Sequence, residues 1–225
     1  MKVSFLSYLG LLLIIPSLEC YSQENSSGAW SDFGHARNWQ CNLDLSGDPS
    51  LSLKWKKKVG EGYSQIVGNQ DRIFVASGGR LPGSDSKIET QLTAYEKDSG
   101  KQLWQYVCQS ELYGNHQTMG GKQPSPQSTP LLMNDQVVFC TFAGDLICLQ
   151  QGDGTEIWKI SLKDKYDAQA VQFGSASSPI QCKGDNQSFV ILAAGRRGGV
   201  MKLKLDDGSL VWRCPVRTFG YATPV

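Results

Sequence analysis

The feature that most constrains the fold of this chain is an internal repeat of 54 residues. Three segments align without gaps, at residues 92–104, 146–158 and 200–212. The copies share a glycine and, four residues later, a tryptophan: Gly100 and Trp104, Gly154 and Trp158, Gly208 and Trp212. Recurrence at a fixed spacing predicts a fold in which copies of one supersecondary unit stack against each other.

Each copy has the pattern of two strands joined by a tight turn. Its first residues alternate in polarity or are continuously apolar, as in a short strand. An acidic or small polar residue then precedes the glycine, which accepts a positive φ without a Cβ clash. The second strand ends in the tryptophan, which we expect to pack between neighbouring units. A row of aromatic ligand contacts is the alternative, and the repetition itself favours the architectural role.

A second recurrent unit lies upstream of each copy. A Ser/Thr-Pro pair ending at Pro130, Pro179 or Pro224 starts a strand, and residues 63–67 take the same place with Gln65 where proline would be. Four short antiparallel strands in a repeat of about 40–50 residues form the blade of a β-propeller. The sequence therefore predicts an all-β fold with blades near residues 63–108, 127–162 and 176–216. We expect an insertion at residues 78–88, and a strand of a preceding blade ending at Trp55.

The number of repeats is small for a closed propeller. Propellers typically have about four to eight blades, and the repeats here amount to three blades with a partial blade at each end. We therefore expect an open or incomplete arc of three to four blades. The hypothesis that goes with it is a chain truncated after Val225.

The N-terminus has the pattern of a secretory signal peptide. Lys2 is followed by an apolar run over residues 5–15 and then by Pro16. A membrane span is the alternative, but the run is shorter than the roughly 20 residues that a bilayer requires. We predict a signal peptide at residues 1–22, an N-terminal segment at 23–50 and propeller repeats at 51–225. The mature protein is expected in the periplasm or outside the cell, without a membrane span.

Export would place the cysteines in an oxidising compartment, where disulfides persist. Six cysteines remain after Cys20, and their pairing cannot be read from the sequence. We expect most of them to be small buried residues on strands. Cys140 and Cys148 flank a short turn at residues 143–145, so we expect them to face each other across a hairpin.

Composition and motifs exclude several kinds of chemistry. The chain has 22 basic and 21 acidic residues, without the basic excess typical of nucleic-acid-binding proteins. It lacks a nucleophile elbow and a phosphate-binding loop. His35 and His116 lie far apart in the sequence, and a solvated loop histidine is the simpler interpretation of His116. We also interpret the lysines around Trp55 as solubilising and Arg196 and Arg197 as an exposed turn.

The repeated segments resemble the pyrroloquinoline-quinone-like (PQQ-like) repeat family of quinoprotein-like β-propellers. The resemblance rests on residues 94–101 with Trp104, on their two copies, and on the Ser/Thr-Pro pairs, and it covers residues 55–225. Residues 30–38 are similar to the N-terminal segment of exported bacterial members. The resemblance implies that the repeated glycines and tryptophans form a docking motif that locks neighbouring blades together.

The same resemblance implies two functions. The family includes quinone-dependent alcohol and sugar dehydrogenases, as well as non-catalytic scaffolds such as the propeller of the outer-membrane assembly machine. The enzymes use adjacent cysteines, a calcium site and a catalytic aspartate, whereas this chain has no adjacent cysteines and its repeated acidic residues are explained by turns. We therefore expect a non-catalytic scaffold that binds a protein or a small ligand, with no catalytic, cofactor-binding or metal-binding residue. The alternative is a fragment of a quinoprotein dehydrogenase, which would bind pyrroloquinoline quinone and calcium.

Overall fold

The computed structural model describes residues 20–21, 40–41, 52–112, 124–169, 173–184, 187–215 and 221–224. Most of the predicted signal peptide and N-terminal segment, together with His35 and His116, lies outside these residues. Strands β1 (Cys20–Tyr21) and β2 (Gln40–Cys41) pair antiparallel. The described part contains one five-residue helix, α1 (Leu162–Tyr166). No helix in that part is both long enough and apolar enough to cross a membrane.

The first sheet consists of β3 (Val67–Gly68), β4 (Arg72–Arg80), β5 (Lys87–Glu96) and β6 (Gln102–Glu111), paired antiparallel in chain order. The insertion expected at residues 78–88 lies in the hairpin of β4 and β5, which are longer than β8 and β9 of the second sheet. The hairpin pairing continues through this region, with Gly78 opposite Thr90 and Arg80 opposite Ile88. The extra residues therefore lengthen β4 and β5.

The second and third sheets repeat this order with shorter strands. The second contains β7 (Leu131–Met133), β8 (Gln136–Cys140), β9 (Asp145–Gln150) and β10 (Glu156–Ser161). The third contains β11 (Ile180–Lys183), β12 (Ser188–Ala193), β13 (Val200–Lys204) and β14 (Leu210–Cys214). All neighbouring strands are antiparallel. The predicted all-β fold of four-stranded units is confirmed.

The core lies between the sheets because the second sheet is apolar on both faces. Val137 and Phe139 of β8 join Phe74 and Trp104 of the first sheet in one buried cluster. The intervening residues of β8 face the other way and join a second cluster that includes Val190 of the third sheet. Alternate residues of one strand thus serve two interfaces, as the period of a strand requires.

The segment before the first sheet differs from its prediction. Residues 52–60 form no strand, so the expectation that Trp55 ends an outer strand is wrong. Trp55 and Val59 instead pack against a small cluster of Ile73, Val75 and Tyr95 on the first sheet. The position of Trp55 is therefore determined by side-chain contacts, without backbone pairing in a strand.

Candidate functional site

The repeated tryptophans and glycines meet between sheets. Trp104 projects from β6, and its Nε1–H donates to the carbonyl of Gln151, 3.0 Å away in the second sheet. Gly154 follows three residues later with φ of 77°. A Cβ at Gly154 would lie 2.7 Å from Cε3 of the Trp104 ring. Glycine is therefore required here both by the backbone conformation and by the close approach of the indole.

The same contact occurs on both sides of this one. Trp158 donates to the carbonyl of Leu205 at 2.7 Å, and a Cβ at Gly208 would lie 2.9 Å from Cε3 of that ring. Trp55 donates to the carbonyl of Lys97 at 2.8 Å and covers Gly100 in the same way. Trp55, Trp104 and Trp158 thus each contact the turn of the sheet that follows them in the chain. In the sequence each repeated glycine stands four residues before a tryptophan, but in the structure it contacts a different tryptophan, from earlier in the chain.

Trp212 differs from its counterparts in its surroundings. Trp104 and Trp158 are 9% and 8% exposed, whereas Trp212 is 42% exposed. No sheet follows β14 among the described residues, and Trp212 has no carbonyl partner there. Leu210 and Val211 on the same edge strand are also exposed. The locking role of the six repeated residues stays a prediction, and five of them lie in contacts of the expected kind.

The acidic residues of the turns bind their own backbone. Asp153 Oδ1 accepts from the N–H of Thr155 at 2.9 Å, and Asp207 Oδ1 accepts from Ser209 at 2.8 Å. Hydrogen bonds from Thr155 lower the pKa of Asp153, and those from Ser209 lower the pKa of Asp207, because they favour the charged form. These carboxylates therefore have a turn-forming role.

The Ser/Thr-Pro pairs form a second set of contacts between sheets. The N–H of Gln65 donates to Thr129 Oγ1 at 3.0 Å, that of Thr129 to Ser178 Oγ at 2.9 Å, and that of Ser178 to Thr223 Oγ1 at 3.1 Å. The hydroxyl before each proline thus satisfies a backbone donor of the preceding unit. In this series of bonds Gln65 corresponds to Thr129, the residue before proline. The predicted correspondence of Gln65 with the proline itself is therefore wrong by one residue. Only the recurrence of Ser or Thr before proline indicated these hydroxyls.

Cys140 and Cys148 lie on neighbouring strands of the second sheet. In the register of β8 and β9, Cys140 lies opposite Leu146 and Cys148 opposite Val138. The expectation that the two cysteines face each other is therefore wrong, because the turn offsets them by two residues. Both thiols are free. Burial, the largest cause in each case, raises the pKa of both thiols to about 12.

The charged residues that the sequence analysis considered lie apart from one another. Arg196 and Arg197 are exposed in the turn after β12, and Arg197 pairs with Asp167 at 3.0 Å. Lys54 pairs with Asp98 at 3.2 Å. Within the described ranges, no group of three or more His, Cys, Asp or Glu side chains could hold a metal ion. The side chains that the fold brings together are mainly those of the sheet-to-sheet contacts.

The chain is similar to a protein family and to several solved structures. The family described as outer membrane protein assembly factor BamB matches residues 26–224. Comparison with curated proteins gave no match. The structure of BamB from Moraxella catarrhalis is 17% identical, with a TM-score of 0.41, over 72% of this chain and 40% of that one. Quinohemoprotein alcohol dehydrogenase from Comamonas testosteroni is 15% identical, with a TM-score of 0.45, over 68% of this chain and 21% of that one. The chain thus spans less than half the length of either protein.

Proposed function

Because the chain belongs to the PQQ-like repeat family described as outer membrane protein assembly factor BamB, we propose that it is an exported, non-catalytic scaffold that binds a protein partner. The proposed binding surface, called the β14 surface below, consists of Leu210, Val211 and Trp212. The observation that carries the proposal is the match of residues 26–224 to that family, and Trp212, exposed at a repeat position where Trp104 and Trp158 are buried, marks the surface to be tested.

The other tryptophans indicate what such a partner must offer. Each docked indole lies on a glycine turn and donates its N–H to a carbonyl three residues before that glycine. A partner of the β14 surface would therefore present a flat apolar patch beside an accessible carbonyl. Tryptophan buries a large area with few rotatable bonds, which is why it is enriched among the residues that dominate protein interfaces.

The backbone of β14 supports the same proposal. β14 is the last strand in its sheet order, and its residues are exposed throughout. An edge strand with exposed apolar side chains is a ready site for addition of an extended segment from another protein. The family description adds that such repeats occur in a protein of outer-membrane assembly, which supports a location in the bacterial envelope.

Site-specific photo-crosslinking in cells tests this proposal. A photoreactive amino acid at Val211 should give a discrete adduct that disappears when Trp212→Ala is added. The matched control carries the photoreactive residue at Thr155, which is exposed before β10 of the second sheet. An equal yield of adducts at both positions, or an adduct that survives Trp212→Ala, would contradict the proposal.

A second experiment separates the scaffold from the dehydrogenase alternative. The purified protein is titrated with pyrroloquinoline quinone and calcium and assayed for dye-linked alcohol oxidation. The scaffold proposal predicts no saturable quinone binding and no turnover. Turnover that requires both additions would replace the scaffold by the enzyme.

A further inference from the structure

A polar cluster lies between the first and second sheets, where the surrounding contacts are apolar. It consists of Cys108 and Ser110 of β6, Asp145 of β9 and Lys159 of β10, and is called the Cys108 cluster below. Lys159 Nζ donates to Cys108 Sγ at 3.1 Å, and Ser110 Oγ lies 3.7 Å from the same sulfur. Ser110 in turn donates to Asp145 Oδ2 at 2.5 Å.

The repeat does not require this cluster. At the interface of the second and third sheets, 54 residues further on, Leu162 replaces Cys108, Arg213 replaces Lys159 and Gly199 replaces Asp145. Leu162 is buried in the apolar cluster there. An apolar side chain therefore stands at the corresponding sequence position, where α1 begins, and the thiol and amine at the first interface need another explanation.

We propose that Cys108 and Lys159 are a modification site, at which hydrogen peroxide installs a sulfur–nitrogen cross-link between the first and second sheets. In the first step the sulfur attacks the peroxide, the O–O bond breaks, and the thiol becomes a sulfenic acid with release of water. In the second step the neutral amine of Lys159 attacks that sulfur, the S–O bond breaks, and a second water leaves. The thiol loses two electrons overall, and the peroxide gains them.

The arrangement of the pair suits both steps. Cys108 is 3% exposed and lies beneath the exposed Lys159, so movement of the flexible lysine stem gives a small peroxide access to the sulfur. The amine is already within hydrogen-bond distance, and condensation of a sulfenic acid with a backbone nitrogen, which gives the same kind of sulfur–nitrogen bond, is established chemistry. No second thiol is required for the product, and Cys108 is free.

The charged neighbours determine when the amine reacts. Partial burial lowers the pKa of Lys159, but the hydrogen bond to Cys108 and the charges of Asp145 and Glu156 outweigh it, so this pKa lies above its ordinary value. Tyr106 also contacts Glu156 through its hydroxyl. Condensation requires the neutral amine, so the second step is expected to be faster in mildly alkaline buffer.

Peptide mass spectrometry of the full chain after hydrogen peroxide treatment tests the proposal. The expected product joins the peptides of Cys108 and Lys159, lacks two hydrogen atoms relative to their sum, and separates again with dithiothreitol. Exposed Cys214 reports that the oxidant has acted, and buried Cys148, which contacts Gln136 instead of a lysine, is the matched control.

The variant Lys159→Met keeps the aliphatic stem and removes the amine. In this variant the sulfenic acid of Cys108 should persist and be captured by dimedone, whereas the wild type should give little of that adduct. An unmodified Cys108 in wild-type protein whose Cys214 is oxidised would overturn the proposal. Equal dimedone capture in wild type and variant would overturn it as well, and this reading does not depend on the binding role of β14.

Discussion

Replacing Trp104 by alanine should destabilise the protein far more than replacing Trp212, although the two residues occupy the same repeat position. Trp104 is 9% exposed, and the centroid of its ring lies 5.8 Å from that of Phe74. Its indole N–H donates to the carbonyl of Gln151. Truncating a buried aromatic residue of this size costs about 3–5 kcal/mol. Trp212 is 42% exposed and lacks such a partner among the described residues, so its truncation should cost less than about 1 kcal/mol.

The hydrogen bond can be separated from the packing with Trp104→Phe. Phenylalanine retains an aromatic ring but leaves the carbonyl of Gln151 without its donor. An unsatisfied buried polar group costs about 1–3 kcal/mol. The free energy of unfolding of Trp104→Phe should therefore lie between those of wild type and Trp104→Ala.

Urea unfolding followed by far-UV circular dichroism measures these differences without relying on tryptophan fluorescence. The slope of each transition has to be compared with wild type, because repeat proteins can depart from two-state behaviour. Equal losses in Trp104→Ala and Trp212→Ala would refute the reasoning. So would a loss below about 1 kcal/mol in Trp104→Ala, a magnitude more typical of surface substitutions.

Three further predictions concern the turns and the thiols. Gly154→Ala should lower the free energy of unfolding by more than the roughly 1–2 kcal/mol that a left-handed backbone costs a residue with a side chain, because the new Cβ also meets the docked indole. Gly152→Ala is the control, since no atom lies within 4 Å of its new Cβ. Its free energy of unfolding in urea should stay within about 0.5 kcal/mol of wild type. Asp153→Ala should lower the midpoint of urea unfolding at neutral pH, and Asp153→Ser should preserve it. Because the folded-state pKa of Asp153 is depressed, the stability that its carboxylate contributes is lost as pH falls through that pKa. A difference in midpoint between Asp153→Ala and wild type that persists unchanged at pH 3 would contradict this. In the native protein, Cys148 should resist iodoacetamide at pH 8 while Cys214 reacts, and rapid labelling of Cys148 would contradict this. The folded-state pKa of Cys148 is raised from 9.0 to about 12. The free energy of unfolding should therefore fall as pH rises between these two values.

The sequence predicted the sheets because their signals are local. The alternation of strand residues and the glycine of each turn lie within a few residues of each other, so the order of β7 to β10 followed directly. The partner of each tryptophan did not follow, because Trp104 and Gly154 are 50 residues apart and belong to different repeats. Trp55 carried the same tryptophan signal without a strand, since its place is determined by contacts with Tyr95 and Gly100.

The Cys108 cluster shows where sequence reasoning lacks a signal. Cys108 and Lys159 are 51 residues apart and do not occupy corresponding repeat positions. Neither residue lies in a motif, and their approach depends on how β6 packs against β10. The register of Cys140 and Cys148 was missed for a related reason, because two residues in a turn decide which residues face each other across the hairpin.

Hydrogen exchange of the indole N–H groups tests the central claim most directly, because it reads each tryptophan in the unmodified protein. With ¹⁵N-labelled tryptophan and assignments from Trp→Phe variants, the indoles of Trp104 and Trp158 should exchange slowly, and that of Trp212 should exchange quickly. Addition of a partner identified by crosslinking at β14 should then protect Trp212 alone. A Trp212 indole as protected as the other two in the free protein, or unchanged in the complex, would contradict the account.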